Sequence, residues 1–518
     1  MSLKFKRSYP ILILLTGVLA FFGIGLGDQR VIAYTTQPDP AASPTTEPVL
    51  NRTNPVGLFD DSLVHSLQIE MDASDYRKMI ATYQRTGEKD TFPANLVIDG
   101  VSIQQVGIRP KGHASLMTQV CVERPGGRPP EADRPTRPAQ AEGQTATATP
   151  APGAAPTPTA EPADRQPPPA PPGGSIPSGC KLPGAWNNNR SVEEVAQLPL
   201  LIQFDRYVAG QTYNGYAAIA VRTGGVTSDA AMLQEPLTNA TYRQLGQPAP
   251  LAAYTGLSFN AGPEKLYVIT EVIDETYLAR HFPGTSGVLY KALLGADILA
   301  DKGADPSAYA NSFSQETRRG EADLAPLIDF IRFINQADDA TFARQLPTYL
   351  DVDAFATYLA INSLLVNKDS LVSGNGNNFY LYYNEVDGKM TLLFWDGNES
   401  LGTYSTRRAV TSSIFLEPEQ GSSAGQPARQ QNILLRRFLA EPSFRALFEQ
   451  KLRRVYTQVF SSGALAARAR QTSALVLAAN SERQLVDPQA YQAARDNVLS
   501  FIQHRGDYLE NSGLLDGK

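Results

Sequence analysis

The two cysteines of the 518-residue chain, Cys121 and Cys180, bracket a segment that has nothing to contribute to a core. Residues 122–178 carry 16 of the chain's 38 prolines and no aromatic side chain, with ATATPAPGAAPTPTAEPA near the centre. Such a stretch cannot bury enough surface to offset its ordering entropy, so it reads as a disordered or polyproline-like insert. Any fold must therefore be assembled across it. In an exported chain, a disulfide between Cys121 and Cys180 closes the insert at its base; two unrelated free thiols are the alternative.

The first residues argue for export. Lys4, Lys6 and Arg7 precede an uncharged apolar stretch from Ser8 to Gly27. That is about 20 residues, enough for one helix to cross a bilayer. A cleaved signal peptide and an uncleaved signal anchor both fit residues 1–27, and the basic flank agrees with the positive-inside rule. Either reading places the rest of the chain outside the cytoplasm, secreted or held at the membrane. Residues 28–56, rich in Pro and Thr, read as a tether that contains the sequon Asn51-Arg52-Thr53.

Composition excludes several classes. Hydrophobic residues make up 42% of the chain, ample for a core. The formal charge of −6 provides no global basic footprint, so nucleic acid is not an expected partner. Four scattered histidines (His65, His113, His281 and His504) and two cysteines do not supply a zinc or iron–sulfur cluster.

The hydrophobic period divides the remainder. Ser66 to Met71 alternates, Asp72 to Tyr83 is helical, and Asp99-Gly100 turns one strand onto another. Further strands are expected at 198–205, 216–222, 254–260 and 265–272, with a helix at 229–245 whose start Pro236 puts in question. From Leu324 the period becomes 3.6: Leu324, Leu327, Ile328, Ile331 and Ile334 share one face, and a final helix runs from Pro488 behind Asp487. The expectation is an α+β fold with a β-rich part at 57–290, mostly antiparallel sheet with one prominent helix, and a mainly helical part at 291–518.

The segment 366–402, VNKDSLVSGNGNNFYLYYNEVDGKMTLLFWDGNESLG, is the strongest candidate for chemistry. Asp369 follows an apolar helix. Asn377 and Asn378 precede a strand, Asp387-Gly388 turns it back, and Asp396 ends the return strand. A carboxylate at a helix end, an amide before a hairpin and a carboxylate after it can converge on one point. Oxygen donors of this kind suit Mg²⁺ with a phosphate, as in kinase sites. Turn-forming Asp and Asn residues are the plainer reading.

The order of several segments resembles the CotH kinase family of spore-coat-type secreted atypical kinases. They are VGIRPKGHAS at 106–115, PLLIQFDRYVAGQTYNGY at 199–216, GQPAP at 246–250, KLYVITEVID at 265–274, GVLYK at 287–291, VNKDS at 366–370, NNFYLYYN at 377–384 and FWDGNESLG at 394–402. The resemblance implies a two-lobed atypical protein-kinase-like fold with a β-rich N-lobe and a helical C-lobe. It implies ATP and Mg²⁺ (or Mn²⁺) as cofactors. It makes Asp369 the catalytic aspartate and Asp396 and Asn378 the metal ligands. Arg109, Lys111, Gly112 and Ser115 become a phosphate loop, Glu235 the anchor for a phosphate-contacting cation, and Glu271 to Asp274 the meeting point with adenine.

Departures from the family pattern bear on activity. The loop reads GHAS, Leu200 and Leu201 stand where a cation is expected, and Asn398 stands where a second Asp is common. Arg109, Lys111 and Lys291 are candidates for the missing charge. The leading expectation is an exported kinase acting on Ser or Thr of surface or coat proteins. The alternative is a catalytically weak pseudokinase serving as a membrane-tethered structural protein. A hydrolase built on Asp369 and Asp396 is the third reading.

Overall fold

A computed structural model describes residues 50–112, 116, 198–224, 230–284, 286–293, 298–321, 323–372, 378–402, 410–414, 432–513 and 515. The apolar segment 8–27, the greater part of the 28–56 tether, the insert 122–178, Cys121, Cys180, Ser115 and Asn377 lie outside them. Among the described residues no helix is long and apolar enough to cross a membrane. Residues Val49–Lys518 form one compact unit.

The β-rich part is mostly antiparallel, as expected, and it closes into a barrel, which alternation alone does not specify. Its strands are β2 (Val64–Glu70), β3 (Phe92–Ile98), β4 (Val101–Pro110), β5 (Leu200–Gln203), β7 (Ala218–Arg222), β8 (Ala252–Phe259) and β9 (Lys265–Glu271). They run β2-β3-β4-β5-β7-β9-β8 and close where β2 pairs parallel with β8, from Val64–Tyr254 to Ile69–Phe259. Period-2 patterning points one face inward, where Leu67, Ile69, Leu96, Ile98, Ile108, Ile202, Ile219 and Ile269 are fully buried. Helix α1 (Ala73–Thr86) adds Met79, Ile80 and Tyr83 to this core. Asp72 caps it by accepting the Ser74 and Asp75 N–H groups, and Gly87 ends it at φ 76°.

The tether reading fails at its end. Strand β1 (Asn51–Arg52) pairs parallel with β6 (Thr212–Tyr213), and the Asn54 N–H donates to Asn214 Oδ1 at 2.8 Å. Residues 50–56 are therefore docked on the barrel, because their backbone finds partners there.

Helix α2 (Gln234–Gln244) begins at Gln234, later than the apolar spacing suggested, with Pro236 in its first turn, where a missing N–H costs nothing. After α3 (Glu275–His281) comes a second sheet, of which the sequence announced only the hairpin ahead of Asp396. Strands β10 (Gly287–Ala292), β11 (Phe313–Gln315), β12 (Phe379–Asn384) and β13 (Lys389–Phe394) form it in the order β11-β10-β12-β13. The expected lobe boundary at 290 thus falls inside β10. Helix α4 (Ala325–Gln336) follows the predicted 3.6 period; α5 (Asp339–Tyr349) and α6 (Val352–Leu365) come after it, and Asp351 caps α6 on the Ala354 N–H. Helices α7 (Ile433–Ala440), α8 (Pro442–Val455), α9 (Ala464–Arg483) and α10 (Pro488–Asn511) complete the core, with Asp487 capping α10 on the Ala490 N–H.

Candidate active site

Helix α6 is apolar all round and buried from Ala354 to Leu365, which fixes its end deep in the molecule. Val366 takes a left-handed φ of 54° and turns the chain out. The following turn is held by its own polar groups. The Asn367 amide donates to Asn362 Oδ1 at 2.9 Å, and the Asp369 N–H donates to Asn367 Oδ1 at 3.2 Å. Asn362 in turn donates to the Tyr242 hydroxyl of α2 at 2.5 Å.

Asp369 meets Asn378 directly: the Asn378 amide donates to Asp369 Oδ2 at 2.7 Å. Hairpin register brings in the third residue. Phe379 pairs with Phe394, so Asn378 and Trp395-Asp396 leave the same open end of β12–β13. Asn378 and Asp396 both sit at positive φ, 58° and 62°, which directs the chain out of the strand line at each.

The residue that completes the site is Arg222, at the end of β7. One guanidinium nitrogen lies 3.0 Å from Glu235 Oε1 and the other donates to Asp396 Oδ2 at 3.0 Å. All three side chains are largely buried, at 12%, 5% and 18% exposure for Arg222, Glu235 and Asp396. Burial works against the charge of Arg222, but Asp396 and Glu235 hold its proton more tightly than in free arginine. Burial pushes the Glu235 carboxyl upward, Asp396 adds to that, and Arg222 opposes it. The sequence has Leu200 and Leu201 where a cation was expected, with Arg109, Lys111 and Lys291 as candidates to replace it. Both leucines are buried strand residues, and the cation paired with Glu235 and Asp396 is Arg222, which ends AIAVR at 218–222 and was not among those candidates. A basic residue closing an otherwise apolar strand ahead of Glu235 was the available signal.

The expected phosphate loop stands over the same point. The Lys111 N–H donates to Pro199 O at 2.8 Å, so the two chain ends of the long excursion meet here. Lys111 Nζ lies 4.8 Å from the Trp395 ring centre and Arg222 Cζ lies 5.0 Å from it, so two cations flank one indole. Burial, with Arg222 and Lys291 nearby, holds Lys111 well below the usual lysine range. Gly112, at φ 95°, offers its carbonyl to Lys89 Nζ at 2.6 Å. Arg109 sits on β4 opposite Leu201. Lys291 on β10 lies 5.8 Å from the Tyr380 ring centre.

Glu271 is not joined to this group. It pairs with Ile219 in register, and its Oε2 accepts the Leu251 N–H at 3.0 Å and an ion pair from Arg280. Burial raises its carboxyl to about 7.

A divalent cation fits the donors present. Asp396 Oδ1 is buried and has no hydrogen-bond partner, an orphaned anionic oxygen that a hard cation satisfies. Among the described residues, no three His, Cys, Asp or Glu side chains form a complete protein cage. Mg²⁺ commonly takes one or two carboxylates and completes its shell with phosphate and water.

The profile of the family described as "CotH kinase protein" matches residues 187–509. This chain belongs to the CotH kinase family. Two curated proteins of Bacillus subtilis (strain 168) are similar to it. Inner spore coat protein H is 22% identical over 290 residues, 55% of this chain and 75% of that protein. The inner spore coat protein H-like protein is 21% identical over 284 residues, 54% of this chain and 76% of that protein. Among solved structures, the Helicobacter pylori proinflammatory kinase CtkA aligns at 9% identity and a TM-score of 0.29, covering 62% of this chain and 92% of that one. The CotH match spans Arg222, Glu235, Asp369, Asn378 and Asp396, and begins after β2 to β4 and Arg109 to Gly112.

Proposed function

We propose that this CotH-family chain is an exported kinase that transfers the γ-phosphoryl group of ATP to Ser or Thr of an extracytoplasmic protein. The observation that carries the reading is the Arg222 bridge from Glu235 to Asp396. It is the arrangement a phosphoryl-transfer site uses to hold one cation against phosphates beside a metal-binding carboxylate. The basic and apolar N-terminal segment supports export, and the spore-coat names of the relatives agree with a surface role.

Each residue has a defined task in this scheme. Asp369, oriented by Asn378, accepts the proton of the acceptor hydroxyl as its oxygen bonds to the γ-phosphorus and the bond to ADP breaks. Asp396 and Asn378 hold Mg²⁺ or Mn²⁺. When bound, that ion neutralises charge on the phosphate oxygens. Arg222, kept extended by Glu235, meets the phosphates from β7. The loop that carries Arg109, Lys111 and Gly112 supplies further positive charge to them. The chain after Glu271 meets the base. The missing cation was one ground for a non-catalytic reading, and Arg222 supplies charge from another strand.

One observation favours that second reading, a catalytically weak scaffold. Ala220, Ile273, Leu289, Tyr380, Leu393 and Trp395 pack together with no more than 4% exposure, between the barrel and the second sheet. The two readings separate on nucleotide transfer by the full chain, with labelled ATP, Mg²⁺ or Mn²⁺, and dephosphorylated casein as acceptor. Transfer that falls about a thousandfold in Asp369→Asn at unchanged thermal midpoint supports the kinase. Equal transfer in that variant removes Asp369 from its role. No transfer and no thermal shift with ATP and metal leaves the scaffold.

A further inference from the structure

Arg505, on α10, is a completely buried arginine, at 0% exposure. It spends its donors on backbone carbonyls from two segments. Its Nε donates to Leu364 O at 3.3 Å and its Nη2 to Ser363 O at 3.2 Å. Its Nη1 donates to Val410 O at 2.7 Å and Ser412 O at 2.8 Å. Ser363 and Leu364 form the last turn of α6, where carbonyls lack i+4 partners (Ser363 O takes the Val366 N–H instead, at 3.4 Å) and a cation meets the negative end of the helix. A guanidinium with five donors in a fixed fork satisfies four carbonyls at once; an ammonium cannot.

What those carbonyls belong to gives the contact its significance. The end of α6 leads directly into Asn367 to Ser370. Its Leu365 O accepts the Leu401 N–H at 2.8 Å, and the Lys368 N–H donates to Glu399 O at 3.1 Å. The turn bearing Asp369 is thus tied to the chain leaving Asp396. Residues 410–414 lie further along that same chain. They are pinned to α6 by Arg505 and by the Ser363 hydroxyl, which donates to Ile414 O at 2.6 Å. Arg505 touches neither Asp369 nor Asp396. It ties the last turn of α6, four residues and more ahead of Asp369, to the 410–414 backbone.

We infer that Arg505 is a positioning residue: through it, α10 holds the end of α6, and with it the turn that carries Asp369 toward the acceptor hydroxyl, against the 410–414 backbone. The inference rests on the kinase reading. It predicts an effect on acceptor use that is separate from nucleotide binding.

The test is Arg505→Lys in the full chain, with steady-state transfer to casein and amide hydrogen exchange measured side by side. Turnover is expected to fall tenfold or more while KM for ATP stays within twofold. Exchange should speed up at 363–371 and 410–414 and stay unchanged in the barrel. A rise in KM for ATP in step with the loss, or faster exchange spread evenly through the helical core, overturns the inference. If Arg505→Lys does not fold, Ser363→Ala removes the tether to Ile414 alone. It should reproduce a smaller loss of turnover with loosening confined to 410–414, and unaltered turnover with a loosened strip refutes the role. A wild-type chain that transfers no phosphate defeats the kinase reading, while the exchange pattern still decides whether Arg505 pins the two segments.

Discussion

Replacing Arg222 with Met tests the centre of the site. The guanidinium lies 3.0 Å from a carboxylate oxygen on each side. Met fills much of the volume and leaves two buried anions facing one another. Breaking a buried ion pair by removing one partner costs about 3–5 kcal/mol. The double variant Arg222→Met/Glu235→Gln removes one of the stranded charges and should regain about 1–3 kcal/mol, a non-additivity expected of residues in contact. The pH dependence has a fixed sign. Glu235 is already raised by burial, and loss of Arg222 raises it further. A carboxyl whose folded pKa lies above its unfolded value stabilises the fold at low pH and loses that contribution as pH rises. The single variant should therefore be closest to wild type near pH 5.5 and furthest at pH 8. Urea unfolding followed by far-ultraviolet circular dichroism at both pH values reads this out. Transfer activity should fall about 100- to 1,000-fold. A single variant within about 1 kcal/mol of wild type at pH 8, or a double variant no more stable than the single, refutes the ion-pair argument.

Other expectations follow from neighbouring geometry. A Cβ at Gly397 would lie 2.8 Å from Thr238 Cβ, so Gly397→Ala should push α2 off the Asp396 loop. Overpacking of this kind costs about 1–3 kcal/mol, and the transfer rate should drop more than stability, read by comparing turnover with the urea midpoint. Glu271 has its carboxyl raised by burial to about 7, from 4.5. Its contribution to stability is present below pH 4.5 and lost as pH rises through 7, about 3 kcal/mol in all. Glu271→Gln should flatten the stability profile between pH 5 and 8.5, and parallel profiles would contradict this. Asp351→Ala removes the α6 cap and should cost about 1 kcal/mol with KM for ATP unchanged. Asp396→Ala should abolish metal-dependent ATP binding in calorimetry; undiminished binding would remove Asp396 from the metal site.

Local physics explains which parts of this protein are legible in its sequence. The cap at Asp487, the turn at Asp99-Gly100 and the β12–β13 hairpin depend on contacts a few residues apart. Their residue types announce them directly. Asp369 and Asn378 meet at one helix end, and Asn378 and Asp396 leave one end of the hairpin, but their residue types alone also read as turn formers, and it was the family resemblance that singled them out. Tertiary structure alone decided the rest. Alternating strands fix an inward face but not closure, and the barrel shuts through β2 and β8, whose pairing no local pattern encodes. The strand β10 joins β12 although a long helical stretch separates them, so the hairpin was legible while its extension into a four-stranded sheet was not. Arg222 and Arg505 show the limit most clearly. A charged side chain is cheap at the surface and costly inside, so its burial depends on partners supplied from elsewhere in the chain. For Arg222 these are Glu235 and Asp396; for Arg505 they are carbonyls at 363, 364, 410 and 412. Sequence spacing records that the cations exist, and only the folded core determines what they hold.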